Sequence, residues 1–165
     1  MRAQKSGVVA NVGSLAGWQG FPGSGMYCAS KFALAGLSEA LRGDVSHLGI
    51  EVTIIEPGYF RTSLLESSNF VVVQKRIPDL EPATAPVHAF MVGHNGKQQG
   101  DPAKGAQVIF EALTKTGRCV GRMLPARLAL GKDAVGFQNT TLELRRRELD
   151  EWADLAATTD FDDAA

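Results

Sequence analysis

GVVANVGSLAGWQGFPGSGMYCASK, residues 7–31, is the stretch whose reading decides the fold. Residues 8–12 are an apolar, largely β-branched run between Gly7 and Gly13, the pattern of a strand buried on both faces, and such strands belong to parallel sheets. From residue 13 to residue 25 glycine, proline and small residues take over, so the backbone turns. Beyond it Tyr27, Lys31, Leu34, Leu41 and Val45 recur at helical spacing, while Ala29, Ala33, Ala35, Gly36 and Ala40 keep another side thin enough for a sheet or a second helix to approach. The pattern predicts a helix over residues 26–48, stopped by Gly49. Residues 51–55 then read as a second buried strand closed by Pro57 and Gly58. Strand, helix and strand in this order form a βαβ unit.

Further along, residues 59–74 suit either a short helix over a pocket or an irregular flap. Pro78, Pro82, Pro86 and Pro102 with little periodicity between them predict that residues 77–102 are mostly loop. Asp101 before Pro102 is a helix entrance, with an acidic cap and proline at the first helical position, and residues 103–115 continue as an amphipathic helix. Residues 119–130 suggest a proline-containing strand, which belongs at a sheet edge or bend, and residues 132–157 a charged final helix before a frayed tail. At 165 residues and 44% hydrophobic composition the chain suits a single α/β domain spanning residues 1–165. A net charge of −1 gives no electrostatic reason to expect nucleic acid or an anionic membrane as partner. Two cysteines, without metal spacing, and no long apolar run place the expectation in the cytoplasm, with no metal site.

The chemistry lies in three side chains. Tyr27 and Lys31 are four apart and share a helix face, and Ser14 is delivered from the end of the preceding strand. A phenol beside a cation gives up its proton more readily, and a hydroxyl can hold the oxygen with which that proton is exchanged. Such a set handles the proton half of an alcohol–carbonyl interconversion; a hydride carrier must supply the rest. Two rivals are weaker. Gly20, Gly23 and Gly25 with Glu56 imitate a dinucleotide fingerprint, but the glycines fall in the reverse order, G-x-x-G-x-G. Ser14 as a hydrolase nucleophile lacks the G-x-S-x-G setting and an arguable histidine partner. His88 and His94 read as surface histidines in a loop.

Taken together, NVGS at a strand end, YCASK opening a long helix and IEPGYFRTSL after the next strand resemble the carboxyl-terminal half of the short-chain dehydrogenase/reductase family, over residues 7–65. The resemblance implies the second half of a Rossmann-type, doubly wound parallel sheet. It implies that Ser14 positions the substrate oxygen, that Tyr27 is the acid/base, and that Lys31 promotes ionisation of Tyr27 and bonds the nicotinamide ribose. By the same resemblance Pro57 and Gly58 line the nicotinamide, the backbone near Phe60 meets its carboxamide, and Thr62 its amide or phosphate side. NADP is expected as cofactor, with NAD possible, and the substrate is a small carbonyl compound or alcohol. Phe60, Leu64, Leu65, Phe70 and Val71 suggest that this compound is lipophilic.

Family members open with a T-G-x-x-x-G-x-G loop for the pyrophosphate and later carry N-N-A-G and an asparagine, none of which occurs in these 165 residues. The expectation is a chain started at an internal methionine, with an apolar strand at residues 8–12 left as an edge that self-associates, forming a homo-oligomer or pairing with another strand. The alternative to an oxidoreductase is therefore a non-catalytic remnant that binds cofactor poorly and acts, if at all, by associating with a full-length relative.

Overall fold

The computed structural model of the protein describes residues 1–70 and 75–161. Three parallel strands, β1 (Gly7–Val12), β2 (Ile50–Pro57) and β3 (Arg127–Leu130), lie side by side in that order. β1 and β2 run in register from Gly7 opposite Ile50 to Val12 opposite Ile55, and β3 joins the far end of β2, from Ile54 opposite Arg127 to Pro57 opposite Leu130. The core sits on β2. Val52 and Ile54 are wholly inaccessible and Ile55 nearly so, each such side chain contributing about 1.5–3 kcal/mol relative to exposure. The outer edge of β1 has no partner strand among the described residues.

Helix α1 (Gly25–Val45) crosses from β1 to β2 and buries Cys28, Ala35 and Ser38, with Leu34 and Leu41 half-buried beside them. Of the small residues expected to meet a neighbouring element only Ala35 does so, while Ala29, Ala33, Gly36 and Ala40 face outward, because the periodic series with Leu34 and Leu41 takes the sheet side. Ser38 Oγ accepts from Asn11 Nδ2 at 2.9 Å and donates to Leu34 O at 2.7 Å, so a hydroxyl within the helix ties α1 to β1. Arg42 reaches further and donates to the carbonyls of Val52 and Leu124. α1 ends at Val45, three residues short of the sequence expectation, because residues 46–48 tighten into one turn of 3-10 helix before Gly49 takes the left-handed conformation, φ 67°. A side chain at residue 49 would also run into the carbonyl oxygen of Lys5.

The region read as loop, residues 77–102, is largely helical. A 3-10 turn at Pro78–Leu80 leads into α2 (Glu81–His94). Proline misleads here for a local reason. Pro78 and Pro82 occupy the first turns of their helices, where the amide needs no partner in any case. Pro86 removes a single hydrogen bond, to the carbonyl of residue 82, without ending the helix. Of the segment from residue 59, residues 63–65 form a 3-10 turn and Leu65 is buried; Val71 lies outside the described residues.

Helix α3 (Pro102–Thr114) begins as the sequence requires: Asp101 Oδ1 accepts from the amides of Ala103 and Lys104 at 2.9 and 3.3 Å. β3 is shorter than the run from which it was read, because residues 117–119 form a 3-10 turn and Pro125 precedes the strand; it occupies the sheet edge, as a proline-flanked strand should. α4 (Lys132–Ala157) closes the chain, and residues 162–165 lie outside the described residues.

The corner after α3 is acid-sensitive. Glu111 accepts from Arg118 Nε at 2.7 Å and from Gln107 Nε2 at 2.9 Å. Arg118 first and Gln107 second bring its carboxyl down from 4.5 to about 2. A value depressed by folding means that the stabilisation is complete above about pH 4.5 and is lost as pH falls towards about 2. Glu111→Gln is expected to flatten the acid limb of the stability–pH curve between these values, measured by denaturant unfolding at stepped pH; an unchanged slope would contradict the assignment.

Candidate active site

The carboxyl ends of parallel strands are where α/β sheets bind ligands, and Ser14, Tyr27 and Lys31 gather at that end of β1. Ser14 leaves the strand two residues after Val12 and caps a 3-10 turn, Leu15–Gly17, its Oγ accepting from the amide of Ala16 at 3.2 Å. Tyr27 lies in the first turn of α1 and is half exposed. One turn later Lys31 sends its ammonium back to the strand, donating to Val12 O at 2.9 Å. The same Nζ stands 5.7 Å from the centre of the Tyr27 ring. The lysine therefore joins the helix carrying the phenol to the strand end carrying the hydroxyl, with its charge against the ring.

The second wall comes from the loop after β2. Gly58 donates to Leu130 O at 2.9 Å, and the Tyr59 amide donates to Asp133 Oδ2 at 2.6 Å, at the start of α4. A Cβ at residue 58 would run into the Asp133 carboxylate, so a larger residue there would push that carboxylate off the Tyr59 amide. Phe60 bridges to Gly100, and its ring packs so closely on Gly105 that a methyl group there would come within 2.6 Å of it. The ring is thus committed to packing. Arg61 holds the next strand of the loop through Nε and Nη2 to Gln98 O, at 3.1 and 2.9 Å. Thr62 caps the Ser63–Leu65 turn through a long contact from the amide of Leu64, 3.4 Å, and is exposed. Pro57, Gly58, Phe60 and Thr62 thus fall along one loop beside the β1 end. An open phenol, an ammonium and exposed loop backbone at the ends of parallel strands form a donor set that suits a nicotinamide nucleotide.

Three features were missed in the sequence. Glu56, imitating a ribose-binding acid, is fully buried instead and accepts from Trp18, Arg127 and Gln138. No sequence pattern announces those partners, which lie 38 to 82 residues away. Gln98 is 1% exposed, and its side-chain amide has no partner among the described residues. His88 and His94 are on helix α2, half-buried and stacked on Phe70 and Phe90 with ring centres 6.1 and 4.9 Å apart, rather than free in a loop. Tyr59 adds an edge contact to His94 at 5.3 Å. Leu65, Ser67, Phe70, His88, Val92 and Asn95 line a cavity of about 350 Å³ beneath this aromatic group. No cluster of metal ligands occurs among the described residues, and no helix among them is long and apolar enough to cross a membrane.

A family model described as short chain dehydrogenase matches residues 1–70. An oxidoreductase of Botryotinia fuckeliana, BOA17, is 32% identical over 160 residues, which is 94% of this chain and 54% of that protein. Human retinol dehydrogenase 5 is 37% identical over 131 residues, 75% of this chain and 39% of the enzyme. Among solved structures, a short-chain dehydrogenase from Streptomyces avermitilis superimposes with a TM-score of 0.79 at 39% identity, over 97% of this chain and 55% of that one. A Burkholderia phymatum member in complex with NAD shares the fold, with a TM-score of 0.64 at 19% identity, over 91% of this chain and 50% of that one. The chain thus spans about half the length, or less, of the relatives it matches.

Burial, then the Asp133 carboxylate, then the neighbouring Tyr27 raise the Tyr59 phenol above 10.0. The chain has two tyrosines, so Tyr27→Phe leaves a single phenol to follow by ultraviolet absorbance. Its midpoint is expected above 10.0 while circular dichroism still reports the fold, and Asp133→Asn in that background should lower it. A midpoint equal to that of free tyrosine would remove Asp133 and burial as its controls.

Proposed function

Because the chain belongs to the short-chain dehydrogenase/reductase family, we propose that it carries the proton-handling part of a nicotinamide-dependent oxidoreductase that interconverts a lipophilic carbonyl compound and its alcohol. The observation that carries this reading is Lys31, whose ammonium bonds Val12 O and faces the Tyr27 ring. Tyr27 is the acid/base: its phenol gives a proton to the carbonyl oxygen in reduction and takes one from the hydroxyl in oxidation. Lys31 stabilises the negative charge that the phenol oxygen then carries. Ser14 donates a hydrogen bond to the reacting oxygen and aligns it with Tyr27. A bound nicotinamide supplies or accepts the hydride; Lys31, Pro57, Gly58, the backbone of Phe60 and Thr62 are the residues that would hold it. NADP is the proposed form, with NAD as the alternative.

A lipophilic substrate is supported by apolar Leu65 and Phe70 beside the cavity under α2 and by the retinol and steroid dehydrogenases among the relatives. We also propose that a second copy of the chain pairs along the outer edge of β1, where the strand lacks a neighbour among the described residues and Val12 is exposed. Light scattering over a concentration series is expected to show self-association, and a monodisperse monomer would exclude it.

Tyr27→Phe removes the transferable proton and leaves the ring. Turnover of a lipophilic ketone with NADPH should fall by about 10²–10⁴-fold, with cofactor affinity measured by fluorescence titration changed by less than about twofold, because the ring is retained. Turnover preserved in this variant would refute the role given to Tyr27.

A further inference from the structure

Ser14 sits on a short turn that its own contacts do not fully hold. Its Oγ accepts from Ala16 and its carbonyl from Gly17, both within the turn, while Gly13 donates to Ile55 O at 2.7 Å on the strand side. The far side is held from a distance. Trp18 Nε1 donates to Glu56 Oε2 at 2.7 Å, and Arg127 Nη2 donates to Gly17 O at 3.1 Å. The Arg127 guanidinium also stacks over the Trp18 ring at 4.2 Å.

Both tethers end on one carboxylate. Glu56 Oε1 accepts from Arg127 Nε at 3.0 Å and from its Nη2, and Oε2 accepts from Trp18 and from Gln138 Nε2 at 3.1 Å. With no exposed surface and both oxygens engaged, Glu56 has no free face for a substrate. It immediately precedes Pro57 and Gly58, so the carboxylate that fastens the Ser14 turn belongs to the strand leading into the Pro57–Gly58 loop. A salt bridge serving only to join β2 to β3 would need Arg127 alone; the contacts to Trp18 and, through Arg127, to Gly17 point into the Ser14 turn.

We infer that Glu56 is a positioning residue: through Trp18 and Arg127 it sets the Ser14 hydroxyl relative to Tyr27 and keeps that turn in register with the Pro57–Gly58 loop. What Ser14 does for the reaction rests on the function proposed above; that Glu56 holds its turn does not.

The test is amide hydrogen exchange of the full chain by NMR, comparing wild type with Glu56→Gln. The substitution keeps the volume and one acceptor but removes the charge on which four donors converge. Exchange at Ala16 and Gly17 should rise about tenfold or more, with Val52 and Ile54 on β2 changed by less than about twofold, and the indole N–H resonance of Trp18 should move upfield. Trp18→Phe, which deletes the indole donor and leaves a smaller aromatic ring under Arg127, should produce a localised rise at the same residues and decides the matter if Glu56→Gln does not fold. In a preparation that turns over, Glu56→Gln should lower kcat and add nothing to that loss in a Ser14→Ala background. Unchanged exchange at residues 16–17, an equal rise throughout β2, or additive losses of kcat would overturn the positioning role. An inactive wild-type protein would instead count against the proposed function, while the exchange data still decide the role of Glu56.

Discussion

A carboxylate with no access to water holds four segments of this chain in one place. Glu56 takes hydrogen bonds from the turn after β1, from β3 and from α4 while being itself part of β2. A buried charge is tolerable only when it is paired and its lone pairs are filled, and here arginine, indole and amide donors fill them. Removing one partner from such an arrangement costs about 3–5 kcal/mol, because the remainder cannot recover water. That penalty makes the arrangement specific: the turn, the two strands and the helix have one mutual placement in which both Glu56 oxygens are filled.

From that placement the open end of the sheet follows. β1 and β2 end side by side, and the chain leaves each by a short turn held from below, one by Trp18 and Arg127 and the other by Asp133 under Gly58. The lysine bond to Val12 O then joins the start of α1 to the same edge. Tyr27 is left half exposed at this end of the sheet, while the turns beside it are tied down by hydrogen bonds from β3, β2 and α4.

Much of the architecture was legible along the chain. Residues 8–12 and 51–55 are largely β-branched and bounded by glycine or proline, and Leu34, Leu41 and Val45 repeat at helical spacing on the half-buried side of α1, so local pattern and tertiary need agree there, whereas the small residues Ala29, Ala33, Gly36 and Ala40 face outward. Asp101 before Pro102 and the final charged helix were equally readable because caps and periodicity act within a few residues. α2 was not. Its three neighbouring prolines resemble loop punctuation, yet two stand where a helix has amides to spare and the third costs one bond. Composition counts prolines, whereas their effect depends on position within a turn. The histidines of α2 were misread for the same reason, since their stacking on Phe70 and Phe90 follows from the helix.

The sequence by itself determined that the chain builds a βαβ unit and that Tyr27 and Lys31 share a helix face, for these are consequences of spacing within one element. It also brought Ser14 to the end of a strand. The folded chain adds that the lysine bonds the β1 carbonyl while facing the ring, that Asp133 takes the Tyr59 amide beside Gly58, and that Glu56 faces inward to Trp18, Arg127 and Gln138 rather than outward to a ribose. The physical reason is range. Propensity, periodicity and capping act over a few residues, whereas the satisfaction of a buried carboxylate depends on donors that the chain returns to the same point only after tens of residues.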